Sequence, residues 1–479
     1  MAKEEKGVTA SKEKNFSEWY TQVIQKAELM DYSKVSGCMV IRPYAYEMWE
    51  RIKQFLDKEF KKLGVKNAYF PLLIPESLLT KEQHHVEGFS PEVAWVTHAG
   101  DSELSEKLAI RPTSETIMYD TYKNWIRSHR DLPLLINQWA NVVRWEFKNP
   151  MPFLRTREFL WQEGHTAYAT KEGAEKETYT ILDIYKKTFE ELLAVPMLDG
   201  RKSEKEKFAG ADYTLSVETI FPNGKAIQGS TSHHLGQNFS KPFDIKFLDE
   251  NEEMQYVWQN SWGFTTRSIG ISLAMHGDDK GLIIPPKIAP TQAVIVPILF
   301  ENTKDKVLAK CEDIKKELSN FRVELDDREE YKPGWKFNQW EMKGIPIRIE
   351  IGPKDIEKEH VVMVRRDNGK KEFVKFKDIK DKLKDLLSGV QQSLFDNAKK
   401  FMDDNTVKVE NMKDLKKAVS NGKFAYAPWC GGVQCEDWLK DKSGGAKSLN
   451  IPFNQEKPDK KCIQCDKDAE FYAYFAKSY

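Results

Sequence analysis

The chain has 479 residues, room for two to four domains at roughly 100–200 residues each, and it needs no disulfide staples to hold its cores. Charged residues are 31%, hydrophobic ones 40% and the mean hydropathy is −0.62, which excludes a disordered or fibrous chain. Lys plus Arg and Asp plus Glu are 74 each, so there is no bulk charge to draw in nucleic acid, and any such binding must use local patches. No apolar run reaches the ~18 residues of a membrane span, and Met1–Asn15 has no apolar segment of the secretory kind.

In chain order, Asn15–Met30 reads as a short amphipathic helix. Tyr44–Leu63 is a helix by period, with Met48, Ile52, Phe55, Leu56, Phe60 and Leu63 on one face. Asn67–Ile74 reads as a strand ended by prolines, and Ser114–Arg127 as a helix. Asn137–Phe147 and Arg157–Tyr168 form a hairpin around a loop with Pro150 and Pro152. A helix over Lys171–Leu193, a strand at "KEKFAGADYT" and the segment "IQGSTSHHLGQNF" follow. Pro285, Pro286 and Pro290 mark a boundary. Beyond it come a strand Ala293–Phe300, a helix Lys304–Leu318, a strand Arg322–Leu325, a short helix Lys336–Met342, strands Ile345–Ile351 and Val361–Arg365, and a helix within Val374–Gln392. Leu394–Val419 reads as a further helical stretch. The last 60 or so residues hold four of the six cysteines and an aromatic tail ending at Tyr479.

There is no P-loop and no G-x-G-x-x-G fingerprint. His84 and His85 are adjacent, cannot share a helix face, and read as loop residues rather than metal ligands. The informative stretch is the hairpin. Alternate residues of a strand share a face, which pairs Arg144 with Glu146 and aligns Phe159, Trp161, Glu163 and His165. An aromatic platform beside an arginine fork suits a phosphate, and a Glu suits an exocyclic amine. A second arginine, Arg267, stands at a strand-to-helix junction.

These stretches ("RPTSE", "VVRWEFKNPMPFLRTREFLWQEGH", "KEKFAGADYT", "IQGSTSHHLGQNFSKPF" and "NSWGFTTR") resemble those of class II aminoacyl-tRNA synthetases, and closely the prolyl-tRNA synthetases of the archaeal and eukaryotic-like type. The resemblance runs from about Phe16 to Tyr479. It implies an α+β class II catalytic domain built on an antiparallel sheet with helices (1–289), an α/β anticodon-binding domain (290–400) and a small zinc-binding α/β C-terminal domain (401–479). The implied activity is that of a proline–tRNA ligase. It activates L-proline with ATP and Mg²⁺ to prolyl-adenylate and then charges tRNA(Pro). A cytoplasmic homodimer with no membrane association is expected, the dimer formed around Tyr44–Leu63 and the strand to Pro71.

By the same resemblance, Thr113, Glu115, Arg144, Phe159, Trp161, His165 and His233, with Phe208, hold proline. Arg144, Glu146, Arg155, Thr156, Gln228, Thr231, Thr265 and Arg267 hold ATP. Gln228 neighbours Mg²⁺, and Thr265 shares a strand face with Arg267. Glu341, Arg348 and Lys354 are candidates for reading anticodon bases and phosphates. Tyr479 is expected to approach the catalytic domain. Cys430-x4-Cys435 and Cys462-x2-Cys465 are two paired knuckles that can close a tetrahedral Zn²⁺ site, structural because four protein ligands leave no open position. A non-catalytic paralogue would be expected to lack a motif arginine, and both Arg144 and Arg267 are present. A zinc-dependent nucleic-acid module would leave the hairpin and pocket unexplained.

Overall fold

The computed structural model describes residues 7–85, 92–146 and 149–479, the side chains of 81–85 excepted. Its longer helices are α1 (Phe16–Lys26), α2 (Pro43–Lys62), α3 (Glu76–His85), α4 (Glu115–Trp125), α5 (Lys171–Lys187) and α6 (Arg267–His276), then α7 (Lys304–Glu317), α8 (Pro333–Lys343), α9 (Ile379–Asp404), α10 (Met412–Ser420) and α11 (Val433–Lys442). Helix α2 forms where the period places it. Proline opens it, Lys61 and Lys62 sit in its last turn, and Met48, Ile52, Leu56 and Phe60 are buried.

The catalytic sheet has β1 (Lys66–Asn67), β2 (Leu134–Val143), β3 (Glu158–Tyr168), β4 (Leu198–Arg201), β5 (Tyr213–Ile220), β6 (Ala226–Gly236) and β7 (Trp258–Thr265). Its order is β4-β5-β6-β7-β3-β2-β1, antiparallel except for β1 beside β2. Alternation along β3 separates two environments. Gln162 and Thr166 face α5, accepting from Tyr185 and donating to Glu177 respectively, while Phe159, Trp161, Glu163 and His165 face a cavity. Gly164 has to be glycine, because a Cβ there would stand 2.2 Å from the Trp262 ring. That ring packs on Phe60 of α2 at 4.8 Å.

The next domain is a mixed sheet of β8 (Ala293–Pro297), β9 (Val323–Leu325), β10 (Ile347–Ile351), β11 (His360–Arg365) and β12 (Lys371–Lys375), in the order β9-β8-β10-β11-β12. Helix α9 packs on it through Leu383, Leu387 and Val390, then continues through residue 400 toward the C-terminal sheet. That sheet comprises β13 (Thr406–Lys408), β14 (Phe424–Trp429), β15 (Ala446–Ser448) and β17 (Phe471–Lys477), ordered β13-β14-β17-β15. One more strand, β16 (Ile451–Pro452), leaves it and pairs with β4 at the edge of the catalytic sheet.

Several expected elements differ. Residues 67–74 are not one strand: β1 ends at Asn67, and the next strand, Leu73–Pro75, belongs to a separate three-stranded sheet. The first hairpin strand stops at Val143, where pairing with Glu158 ends, so Arg144–Glu146 lie beyond it and Phe147 falls outside the described residues. "KEKFAGADYT" is mostly turn, and the strand begins at Tyr213. Residues 394–419 are the end of α9, a strand and α10, not one helix. His84 and His85 end helix α3 instead of lying in a loop.

Candidate active site

One cavity of about 290 Å³ opens on the face of the catalytic sheet away from α5. Strand β3 lines it with Phe159, Trp161, Glu163 and His165. Strand β6 adds Gln228, Thr231 and His233, and β7 adds Ser261, Gly263 and Thr265. Thr113 and Glu115 come from the start of α4, Arg144 and Thr156 from the two ends of the hairpin loop, and Arg267 from the first residue of α6. Phe208 also faces it.

At one end the groups are acidic and neutral. The Thr113 hydroxyl donates to Glu115 Oε2, and both residues are buried. Glu163 accepts from the Ser114 backbone N–H at 3.0 Å, the Ser114 hydroxyl at 2.6 Å and Gln138 Nε2 at 2.9 Å, and contacts His165 Nε2 at 3.1 Å. Burial opposes a charge on His165, but Glu115 and Glu163 outweigh it and raise its pKa. Burial likewise opposes the Glu163 carboxylate, and His165, Ser114 and Gln138 bring its pKa below the usual range. The two are hydrogen-bonded to each other, with Tyr119 on the other ring nitrogen at 3.1 Å. His233 is the opposite case. Burial, then the charges of His165 and Arg144, lower its pKa to about 3, so it is neutral. Thr214 and Thr231 hydroxyls hold its two nitrogens at 2.9 and 3.0 Å, and Phe208 lies 4.6 Å from its ring.

At the other end two guanidinium groups face the cavity. Arg144 donates from Nε to the Pro112 carbonyl at 3.0 Å and lies over Phe159 and Trp161, 5.6 and 5.3 Å from their centroids. Arg267 donates from Nε to Leu154 O at 3.1 Å, and its backbone N–H donates to Thr265 Oγ1 at 3.1 Å. Burial, with Arg144 and Arg155 nearby, lowers its pKa from 12.5 to about 10. A buried guanidinium crowded by other cations suits phosphate or carboxylate.

The structure thus gathers Thr113, Glu115, Arg144, Thr156, Phe159, Trp161, His165, Phe208, Gln228, Thr231, His233, Thr265 and Arg267 around one space. It does not bring in two expected residues. Glu146 is exposed in the turn after β2, because strand alternation no longer holds past Val143. Arg155 does not line the cavity: its Nη2 donates to the backbone oxygen of Tyr479 at 2.6 Å, and its guanidinium lies over that ring. Thr265 and Arg267 share no strand face, since the strand ends at Thr265. Sequence reasoning left out Ser261, Thr214 and Glu206. Ser261 was findable, because it alternates with Gly263 and Thr265 on β7; Thr214 and Glu206 carry no such signal.

Two smaller clusters complete the picture. Glu341 and Arg348 share a cavity with Lys280, Arg365, Arg366 and Lys371, whereas Lys354 lies on a short helix after β10 and is not part of it. In the C-terminal domain the Sγ atoms of Cys430, Cys435, Cys462 and Cys465 lie within 4.8 Å of one another. Cys435–Cys462 and Cys430–Cys465 are 3.5 and 3.8 Å apart. Four sulfurs about 2.3 Å from a tetrahedral Zn²⁺ would stand about 3.8 Å apart, so this donor set fits the ion. Without a cation the crowding is unfavourable: contact with Cys462, with burial, pushes the Cys435 thiol up.

Comparison with known families agrees with this organisation. Residues 95–276 match the tRNA synthetase class II core domain (G, H, P, S and T), 292–386 the anticodon binding domain, and 412–479 the prolyl-tRNA synthetase C-terminal domain. The fold is that of a class II aminoacyl-tRNA synthetase. The proline–tRNA ligase of Natranaerobius thermophilus is 52% identical over 97% of this chain and 96% of its own length, and that of Ruminiclostridium cellulolyticum is 51% identical over 100% of both. The bifunctional glutamate/proline–tRNA ligase of Cricetulus griseus is 49% identical over 99% of this chain, which spans 33% of that longer protein. The chain belongs to the proline–tRNA ligase family.

Proposed function

We propose that this protein activates L-proline with ATP, releasing pyrophosphate, and transfers the prolyl group to tRNA(Pro). The observation that carries the reading is the polarity of the cavity on the catalytic sheet, with Thr113, Glu115 and His165 at one end and Arg144 and Arg267 at the other. Proline is a secondary ammonium on a small apolar ring. Glu115 supplies its counter-charge, and Phe159, Trp161, Phe208 and neutral His233 supply walls. Attack of the proline carboxylate on the α-phosphorus needs alignment and charge neutralisation rather than a general base. Arg144 holds carboxylate and α-phosphate together; Arg267 holds the far phosphates, with Thr156, Gln228, Thr231 and Thr265 beside them. Glu146 and Arg155, on the hairpin loop outside the cavity, are assigned to the adenine and the phosphates on family resemblance alone.

Mg²⁺ fits this site as a companion of the triphosphate. Gln228 offers it an amide oxygen, and an ion held mainly by phosphates needs few protein ligands. Zn²⁺ is assigned to the four cysteines as a structural ion. Glu341 and Arg348 are assigned to anticodon bases and Lys354 to the RNA backbone. A homodimer is assigned to the outer side of α2, where Tyr46 and Tyr69 are exposed beside Glu47, Glu50 and Arg51. A cytoplasmic location suits the unpaired thiols. Among the described residues no helix is long and apolar enough to cross a membrane. The deciding assay is exchange of labelled pyrophosphate into ATP. It should require proline, and exchange that ignores proline or follows another amino acid better would overturn the reading.

A further inference from the structure

The junction between the first two domains carries a charge pair, a buried arginine on a half-exposed carboxylate, that the proposed chemistry does not use. Arg366, directly after β11, is 8% exposed. Its Nη1 and Nη2 donate to Asp278 Oδ2 and Oδ1 at 2.9 and 2.6 Å, and its Nε donates to the backbone carbonyl of Glu341 at 2.9 Å. One planar fork therefore joins the turn after α6 to the last turn of α8 in a single geometry.

Both ends are anchored. Asp278 lies two residues beyond α6, the helix whose first residue is Arg267. Its Oδ1 accepts from the Lys280 and Gly281 backbone N–H groups at 2.9 and 3.1 Å, and its carbonyl accepts from Trp19 Nε1 at 2.9 Å. Lys12 Nζ donates to the Met275 and Gly277 carbonyls at 3.0 and 2.6 Å, closing the end of the helix. Helix α6 is buried from Ser268 to His276, so it moves as a rod of about 15 Å if it moves at all. At the other end, Glu341 and Arg348 edge the basic cavity. The two segments touch there: Leu282 N–H donates to Met342 O at 3.0 Å, and a Cβ on Gly281 would stand 2.5 Å from Met342 Cα. Other ties between the domains, Lys280 Nζ to Glu341 Oε1 at 3.4 Å, Ile284 N–H to Gly344 O at 3.1 Å and Lys343 to Glu28 at 2.9 Å, engage groups other than the Glu341 carbonyl.

We propose that Arg366, held by Asp278, is a positioning residue that fixes the Glu341 edge of the anticodon cavity against the far end of α6, so that a correctly seated anticodon is registered with the prolyl-transfer site. The inference rests on the anticodon reading of Glu341 and Arg348. Replacing Asp278 by Asn keeps its size but removes the charge and one acceptor. Arg366 then holds one side less firmly, and the Glu341 carbonyl gains slack of a kind that costs transfer more than binding.

The test uses the full chain and three readouts: proline-dependent pyrophosphate exchange without tRNA, tRNA affinity by filter binding, and charging of transcripts with cognate or singly substituted anticodons. Asp278→Asn should leave exchange within about twofold and lower the charging kcat on cognate tRNA by roughly tenfold or more, with tRNA affinity little changed. It should also narrow the preference for the cognate anticodon. Arg366→Lys should give the same charging loss, and D278N/R366K should be no worse than the poorer single variant, because either change breaks one link. Unchanged charging by D278N overturns the inference. So does a parallel loss of exchange, which marks a merely structural tie, and so does a change confined to tRNA affinity, which makes Arg366 a direct RNA contact. Glu341→Ala is measured alongside. If it leaves anticodon preference intact, the anticodon reading falls and this inference with it; if it behaves and D278N does not, only the inference falls.

Discussion

Arg267 should be a destabilising residue in the free protein. Its guanidinium is buried beside Arg144 and Arg155, and its pKa falls from 12.5 to about 10. At neutral pH it is still charged, so the folded state carries the full cost, about 3 kcal/mol at ~1.4 kcal/mol per unit. The bond from Nε to Leu154 O returns about 1 kcal/mol of that. Arg267→Met, which fills similar volume without charge, should therefore leave the ligand-free protein as stable as the parent or about 2 kcal/mol more stable. The same change removes a charge-assisted contact to phosphate in a dry site, worth roughly 3–4 kcal/mol or 10²–10³-fold in rate. Thermal unfolding with and without ATP–Mg²⁺, together with proline-dependent exchange, tests both halves. The parent should gain stability from ATP and the variant should gain little, with exchange nearly lost. A ligand-free variant that melts well below the parent, or one that retains exchange, would refute the reasoning.

Metal analysis of protein purified without chelator should find one zinc per chain, lost in Cys462→Ser. Its loss should loosen the C-terminal domain far more than the catalytic core; because this domain has its own core of Leu415, Val419, Trp429, Leu439 and Phe475, hydrogen exchange should rise chiefly around the two knuckles. Glu177 is buried behind the sheet, and burial raises its pKa to about 7 despite bonds from Asn260 and Thr166. A raised carboxyl pKa contributes stability that is fully present below the unfolded value near 4.5 and lost as pH rises through about 7. Glu177→Gln should thus flatten the Tm–pH profile between those values and melt higher than the parent at pH ~8, the difference being about 3 kcal/mol; identical profiles would count against it. Finally, α5, β4, β5 and β6, with the small elements before β7, account for the chain between His165 and Gly263, leaving no inserted domain for hydrolysing mischarged tRNA. Alanine is smaller than proline, and each missing methylene is worth only about 10–200-fold, so alanine activation should be measurable and added protein should not shorten the lifetime of alanyl-tRNA.

Much of the site is written in local sequence. The period of two in Phe159, Trp161, Glu163 and His165 places them on one face whatever lies opposite, and the structure has all four lining the cavity. The period of α2 and the spacing of the cysteine knuckles are equally local, because each reports geometry within a few residues. What the sequence by itself could not decide is where a periodicity stops and what meets it. Glu146 loses its strand neighbour because β2 needs a partner to continue, and pairing with β3 ends at Val143. Arg155 is met by Tyr479, 324 residues away, and β16 leaves its own domain to finish the catalytic sheet. Arg366 finds Asp278 only because α6 ends against the second domain. A local pattern fixes which face of an element is apolar or charged. The partner of that face depends on how distant elements pack, which only the tertiary structure decides.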